Sequence, residues 1–211
     1  CLEDLKNFSV TADLTTDSGL KKLLDAVETK WGAPDIVINN AAIYPSSFLL
    51  DMRVSDWDEI MAINVRAPFV LMRNFALQMI NKGVAGNFVN ISSGAARKMR
   101  RTAVTYCMSK TALDRMTKGF ALEMAEYGIR ANCLEPGFAS GSAVSVLNQE
   151  HIDRVLAAIP LRHEIKSEDV GQAALFLASS AAKNITGATL SVDGGNSAGT
   201  MDVYQDKKSA L

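Results

Sequence analysis

The stretch that decides the fold runs from Asn90 to Lys110 and reads NISSGAARKMRRTAVTYCMSK. It starts inside an apolar run, FVNI, which is typical of a buried strand and leads here into two serines. Tyr106 lies 13 positions after Ser93, and Lys110 lies four positions after Tyr106. If the segment 103–126 is a helix, the phenol and the ammonium are one turn apart on the same face. The stretch therefore predicts a strand and a following helix that bring a hydroxyl, a phenol and an ammonium close together.

The same alternation of strand and helix continues along the rest of the chain. Short apolar runs bounded by turn residues predict strands, and capped amphipathic segments predict helices. These patterns predict strands at 9–13, 35–42, 86–93, 128–136 and 187–195. Besides the Tyr106 helix, they predict one helix that is capped by Asp17 or Ser18 and ends at about 31, and others at 55–82, 148–158 and 167–180. Pro68 predicts a bend in the long helix near Asn64. We expect an α/β fold, a doubly wound parallel sheet with helices on both faces, in one domain spanning 1–211.

Composition excludes several classes of partner. Of 211 residues, 48% are apolar and 21% are charged, and the formal net charge is −1, so we expect neither nucleic acid nor an acidic membrane as a partner. No run of consecutive apolar residues reaches the ~18 of a membrane span, and CLEDLKN does not resemble a signal peptide. Cys1, Cys107 and Cys133 have no metal-ligand spacing, so we expect reduced thiols, no metal and a cytoplasmic location.

Seven motifs together resemble the short-chain dehydrogenase/reductase family of NAD(P)-dependent oxidoreductases. They are DLT at 13–15, NNAA at 39–42, NV at 64–65, NISS at 90–93, YCMSK at 106–110, NCLEPG at 132–137 and TGATLSVDGG at 186–195. They follow the family's order and cover nearly the whole chain. The resemblance implies a Rossmann-like fold and hydride transfer between NAD or NADP and a carbonyl or secondary alcohol.

The resemblance implies that proton chemistry takes place in the central stretch. Tyr106 is the expected general acid/base, and Ser93, rather than Ser92, is expected to hold the substrate oxygen. Lys110 is expected to lower the pKa of the Tyr106 phenol, about 10 when free, and to bond the nicotinamide ribose. Asn64 resembles the family's asparagine that holds a water in a proton relay. Each residue alone has an ordinary structural explanation, but the set favours catalysis.

The resemblance also implies cofactor contacts along the carboxyl ends of the strands, where such sheets bind ligands. Asp13 is expected to accept a hydrogen bond from the adenine amino group. The other expected contacts lie beside the adenosine ribose (Asn39, Ala41, Ala42), at the nicotinamide end (Tyr106, Lys110, Pro136, Gly137) and at its carboxamide (Ala139).

One part of the family pattern is not in the sequence. The glycine-rich TGxxxGxG turn, whose amides bind the pyrophosphate, has no counterpart. The chain starts where the family's third helix ends, so we expect a fragment that lacks roughly 40–50 residues and the first two strands. The strand predicted at 9–13 would then have no neighbour. The missing second strand usually carries the residue that selects NAD or NADP, so that choice stays open.

The sequence leaves the substrate open between a 3-oxoacyl thioester, a sugar or polyol and a small ketone. Four basic residues lie between Ser93 and Tyr106, and a solvated charge run is favoured over recognition of an anionic substrate. The segment 138–158 resembles the family's substrate lid and suits a modest organic carbonyl or an acyl chain. The basic residues are Arg97, Lys98, Arg100 and Arg101, and the lid residues include Phe138, Val144, Val146 and Leu147.

The long helix at 55–82 and the Tyr106 helix resemble the pair that forms a four-helix interface in oligomers of the family. Their apolar content exceeds what one buried face needs, so a homodimer or homotetramer is expected. Two other functions stay open: a cofactor-free binding or scaffold protein of this fold, and a lyase or epimerase that keeps the cofactor.

Overall fold

The computed structural model describes residues 7–140 and 148–201. Within them, a four-stranded parallel sheet has the strand order β1-β2-β3-β4. The strands are β1 (Ile36–Asn39), β2 (Asn87–Ile91), β3 (Arg130–Pro136) and β4 (Thr189–Val192). Because every strand runs the same way, all four carboxyl ends lie at one edge of the sheet.

Helices connect these strands in the described part of the chain. They are α1 (Asp17–Trp31), α2 (Val54–Met61), α3 (Ala67–Lys82), α4 (Val104–Met124), α5 (Gln149–Ala158) and α6 (Ser167–Ala178). Polar caps and glycines set several of their ends. Thr16 accepts a hydrogen bond from the Gly19 amide at the start of α1, and Gly83 ends α3 in the left-handed conformation.

The sheet separates two apolar cores. On one side, α1, α3 and α4 pack over Phe88 and Ala131; on the other, α6 packs Ala174 and Leu177 against Val89. Both Phe88 and Val89 are fully buried, as the apolar run of β2 predicts for a strand covered on both faces. The predicted doubly wound arrangement is therefore confirmed.

The long helix predicted at 55–82 is interrupted where Pro68 predicts a bend. A turn of π-helix, Ala62–Arg66, joins α2 to α3 and contains Asn64. By length and composition alone, Val54–Lys82 is long and apolar enough to cross a membrane. However, its residues Met72 and Met79 are fully buried in the core, as in the central helix of a water-soluble domain.

The strand predicted at 9–13 is wrong: residues 7–13 form neither strand nor helix. A strand needs a neighbour for its backbone hydrogen bonds, and no described strand lies beside β1 on that side of the sheet. This edge also leaves apolar side chains uncovered, since Ile36 is 48% and Ile38 is 49% exposed. Periodicity alone does not make a strand here, because the pairing partner decides it.

Candidate active site

The candidate site lies where β2 ends and α4 begins. Ser93 follows β2 in an extended conformation (φ −167°) and caps a short 3-10 turn, Gly94–Ala96, by accepting a bond of 3.2 Å from the Ala95 amide. Ser92, which precedes it, is buried and donates to the Lys110 carbonyl. The alternation of side chains along the strand thus turns Ser92 into the core and leaves Ser93 at the cleft.

Tyr106 lies in the first turn of α4. Burial raises the pKa of the Tyr106 phenol, while the influence of the Ser93 side chain and the positive charge of Arg100 lower it. The phenol therefore keeps its proton at neutral pH. It can donate that proton to an oxygen placed between Tyr106 and Ser93.

Lys110, one turn further along α4, is 2% exposed. Its Nζ donates to the Ile91 carbonyl at 2.8 Å and lies 5.9 Å from the centre of the Tyr106 ring. Burial lowers the pKa of Lys110 to about 8. The expectation that Lys110 lowers the pKa of Tyr106 is wrong for this structure, because burial is the largest influence on the phenol and the ammonium is bonded to a strand carbonyl instead.

Asn64 is fully buried in the π-helical turn. Its side-chain oxygen accepts from the Ile43 amide at 2.9 Å, and its side-chain nitrogen donates to the Ile43 carbonyl (2.8 Å) and the Ser109 hydroxyl (3.0 Å). Ser109 in turn donates to the Tyr106 carbonyl at 2.7 Å. Asn64 therefore ties the segment after β1 to the first turn of α4, and its oxygen, which accepts from the Ile43 amide, has a second lone pair.

The residues expected to contact the adenosine are distributed along the same edge. Asn39, the last residue of β1, is buried and donates to Asn90, whereas Ala41 is exposed and Ala42 half-buried. Asp13 is exposed, and hydrogen bonds from the side chain and the backbone of Thr15 to one carboxylate oxygen lower its pKa. In the described part of the chain, the hydrogen bonds from Thr15 reach only one oxygen of Asp13 and leave the other as an acceptor.

At the end of β3, Gly137 donates its amide to the Val192 carbonyl at 2.8 Å. A Cβ at this position would lie 2.6 Å from the Cα of Asp193, so only glycine allows this approach. Pro136 and Gly137 are half-buried, and Ala139 is exposed. The lid residues Val144, Val146 and Leu147 lie outside the described residues.

These residues fit the two ends of a nicotinamide dinucleotide. An acceptor carboxylate stands at 13, and small exposed side chains follow β1 and β3 at Ala41 and Ala139. A Cβ at Gly94, next to Ser93, would meet nothing within 4 Å, so there is open space beside Ser93. The acceptor at Asp13 suits an adenosine, and the open space beside Ser93 suits a nicotinamide.

The sequence reasoning missed an ion pair beside the site between a buried glutamate and the partly exposed Arg97. The Glu135 side chain is 2% exposed and accepts from Arg97 Nε at 2.7 Å and from the Ser191 hydroxyl at 3.1 Å. The interpretation of a solvated charge run therefore does not hold for Arg97. A glutamate inside the apolar strand NCLEPG was the signal, because a buried carboxylate needs a partner.

A second missed feature is a row of buried polar groups beneath the site. Asn39, Asn90 and Cys133 are neighbours across β1, β2 and β3. Asn90 accepts from Asn39 at 2.7 Å and donates to Thr117 of α4 at 2.8 Å, and the Cys133 thiol donates to Thr117 at 3.2 Å. This row fixes α4, and with it Tyr106, against the sheet. Tyr44 was also missed; its ring centre lies 5.7 Å from that of Tyr106.

Comparison with known proteins places this fold and site in context. A family model described as enoyl-(acyl carrier protein) reductase matches residues 2–197. The chain is 34% identical over 192 residues to glucose 1-dehydrogenase 2 of Bacillus subtilis, covering 90% of the chain and 74% of that protein. It is 32% identical over 191 residues to (3R)-3-hydroxyacyl-CoA dehydrogenase of Rattus norvegicus, with the same coverage, 90% and 74%.

Solved structures similar to this chain are also dehydrogenases. Gluconate 5-dehydrogenase from Burkholderia cenocepacia, solved with NADP, is 31% identical with a TM-score of 0.83 and is matched over 89% of this chain and 74% of its own. A 4-hydroxyisoleucine dehydrogenase solved with NADH is 27% identical with a TM-score of 0.85, over 90% and 79% of the two chains. The chain therefore belongs to the short-chain dehydrogenase/reductase family.

Proposed function

We propose that this protein is an NAD(P)-dependent oxidoreductase that interconverts a carbonyl and a secondary alcohol, with Ser93, Tyr106 and Lys110 as its catalytic set. The observation that carries the proposal is the placement of the buried Lys110, whose Nζ donates to the Ile91 carbonyl near the end of β2, two residues before Ser93, and lies 5.9 Å from the centre of the Tyr106 ring. The names of the relatives describe dehydrogenation of an alcohol, and the solved neighbours contain NADH or NADP.

In the reducing direction, the neutral Tyr106 phenol donates its proton to the carbonyl oxygen. Ser93 donates a hydrogen bond to the same oxygen and stabilises the negative charge that develops there. The dinucleotide, when bound, supplies or accepts the hydride. In the oxidising direction Tyr106 must act as phenolate, which its buried position disfavours, so we expect oxidation to speed up as the pH rises.

Lys110 and Asn64 act on either side of this pair. Below pH 8 the Lys110 ammonium is charged, and it lies 5.9 Å from the centre of the Tyr106 ring. We assign Lys110 the ribose hydroxyls of the cofactor, as the family resemblance implies. Asn64 holds the segment after β1 against α4, and its remaining acceptor position is assigned to the relay water.

For the cofactor, we assign the adenine amino group to Asp13 and the adenosine ribose to the segment after β1. The nicotinamide is assigned to the end of β3, with Tyr106 and Lys110 on its other side. The residues at these two places are Asn39, Ala41 and Ala42 after β1, and Pro136, Gly137 and Ala139 after β3. Both NADH and NADPH belong in every assay.

The test is Tyr106→Phe, with Tyr127→Phe as the matched control at a 45% exposed position in the 3-10 turn Ala125–Tyr127 that follows α4. We expect Tyr106→Phe to lower carbonyl reduction by at least about 100-fold, the usual share of a general acid. Binding of NADH or NADPH, followed by fluorescence, should change less than about threefold because the phenol contributes little to dinucleotide affinity. Unchanged turnover in Tyr106→Phe would contradict the proposal.

The same experiment separates the two alternatives. A scaffold protein would show no enhancement of NAD(P)H fluorescence by the wild-type chain. A lyase or epimerase would form product without net consumption of NAD(P)H, which chromatography of the products detects.

We also propose that the protein is a homodimer or homotetramer, located in the cytoplasm, with 1–211 acting as one domain. The face of α3 and α4 away from the sheet supports the assembly, because Phe69 is 50% and Leu122 is 81% exposed. Phe69 borders an apolar groove of about 400 Å³ formed by α2, α3 and α4. Light scattering on wild type and on Leu122→Lys tests it, and a monomeric wild type would contradict it.

A further inference from the structure

The segment Arg97–Arg101, RKMRR, forms a basic loop between the 3-10 turn after Ser93 and the start of α4. Three of its four cations have partners. Arg97 pairs with Glu135, and the Lys98 ammonium donates to the Asn196 carbonyl at 3.0 Å. The Arg101 guanidinium carbon lies 5.6 Å from the centre of the Phe48 ring. These three side chains are held by the protein itself.

Arg100 differs from the other three. Its side chain is exposed, and in the described part of the chain no carboxylate forms an ion pair with it. Arg100 lies in the loop that leads from Ser93 into α4, and its positive charge lowers the pKa of the Tyr106 phenol. With no acidic partner among the described residues, this cation can bind an anion supplied from outside.

Backbone hydrogen bonds hold the loop around Arg100 in one position. The Arg100 carbonyl accepts from the Ala103 amide at 3.2 Å, in the turn that leads into α4. The next residue but one, Thr102, has φ 65°, and its carbonyl accepts from the Ser47 amide at 2.8 Å. The loop is thus held both to α4 and to the segment after β1, close to Tyr106.

The surroundings of Arg100 add a second kind of contact. Met99, its neighbour in the loop, is 64% exposed. The segment after β1, which is hydrogen-bonded to this loop, exposes Phe48 (52%), Leu49 (56%) and Leu50 (98%). One cation among exposed apolar side chains suits a molecule with one anionic group and an apolar remainder.

We propose that Arg100 binds a carboxylate or phosphate group of the carbonyl substrate, while Tyr106 and Ser93 hold the reacting oxygen. The inference rests on the proposed oxidoreductase function and names its substrate class: carbonyl compounds with an anionic group a few bonds from the reacting carbon. Arginine suits this role because its planar guanidinium donates two parallel hydrogen bonds to such groups.

The test compares matched anionic and neutral substrates in wild type and Arg100→Gln. Acetoacetate is compared with methyl acetoacetate, and dihydroxyacetone phosphate with dihydroxyacetone, which separates carboxylate from phosphate. Loss of a charged hydrogen bond should lower kcat/KM for the preferred anion by about 10–100-fold. We expect kcat/KM for both neutral compounds to change less than about threefold. Arg101→Gln, which removes the same charge one residue away, should leave the anion preference intact.

A direct binding measurement keeps this inference separate from the proposed function. Calorimetry with acetoacetate and dihydroxyacetone phosphate is run in Tyr106→Phe and in Tyr106→Phe combined with Arg100→Gln. Tenfold weaker anion binding in the double variant supports the role of Arg100, whether or not wild type shows turnover. Absence of turnover in wild type would contradict only the oxidoreductase function. Equal anion binding in both variants, or an equal loss of kcat/KM for anionic and neutral substrates, would overturn the role of Arg100.

Discussion

The burial of Lys110 gives the protein a pH-dependent stability that a single substitution should remove. The pKa of this lysine is about 8 in the folded protein against 10.5 when exposed. Between these values the unfolded chain binds a proton that the folded chain has released. The free energy of unfolding therefore rises with pH through this range.

The magnitude follows from the two pKa values. The lowered pKa reduces the free energy of unfolding by about 3 kcal/mol at pH 7 and by about 2 kcal/mol at pH 9. Lys110→Met keeps an unbranched side chain of similar length but has no charge to bury. It also loses the bond to the Ile91 carbonyl, which offsets part of the gain by a constant amount. The stability of the variant relative to wild type should therefore fall by about 1 kcal/mol from pH 7 to pH 9.

Urea unfolding followed by tryptophan fluorescence at pH 7, 8 and 9, without dinucleotide, measures this difference. Taking the difference between the two proteins cancels groups that titrate in both, such as Cys133, whose pKa is raised to about 12 by burial. Lys183→Met, at an exposed lysine on the turn after α6, controls for the loss of one positive charge. Parallel stability curves for wild type and Lys110→Met would refute the reasoning. The variant should also lose catalytic activity, so that stability and function oppose each other at this position.

Three further predictions concern the supports of the site. Gly137→Ala should lower the free energy of unfolding by about 1–3 kcal/mol in urea, because its Cβ would meet the backbone of Asp193; Gly119→Ala, in open space on α4, is the control and should not destabilise. Glu135→Gln should lower the free energy of unfolding by about 2 kcal/mol in the same assay, because it removes the charge that pairs with Arg97. It should also raise KM more than it lowers kcat, because the loop after Ser93 is held less firmly. An unchanged unfolding midpoint would contradict this. Cys133 should resist iodoacetamide at pH 8 until urea unfolds the chain, as followed by mass spectrometry, whereas rapid labelling of the native protein would show that its thiol is not buried as described.

The sequence alone predicts the elements whose pattern is local. The spacing from Tyr106 to Lys110 requires only a helix, and α4 places both side chains over the end of β2. Ser93 follows a run buried on both sides, so its position at a strand end could be read from the apolar pattern. Likewise Pro68 marks the irregular turn that contains Asn64.

The features that the sequence does not predict depend on partners distant in the chain. Residues 9–13 alternate like a strand, but pairing with a neighbour decides whether one forms. Arg97 lies in a run of charges that looks solvated, and only the approach of β3 shows that a buried carboxylate, Glu135, binds it. The effect of Lys110 on Tyr106 was mispredicted for the same reason, since the depth of burial is a property of the whole fold.

Burial acts on the two titrating groups of the site in opposite directions and thereby sets its working pH. It raises the pKa of the Tyr106 phenol and lowers that of the Lys110 ammonium. In each case burial shifts the equilibrium towards the neutral form. In the proposed mechanism, carbonyl reduction uses the protonated phenol together with the charged ammonium, a combination that is abundant only below pH 8. An anionic substrate beside Arg100 would add negative charge close to the phenol and raise its pKa further. The same anion that the basic loop selects would therefore favour the protonated phenol, the form that reduction requires.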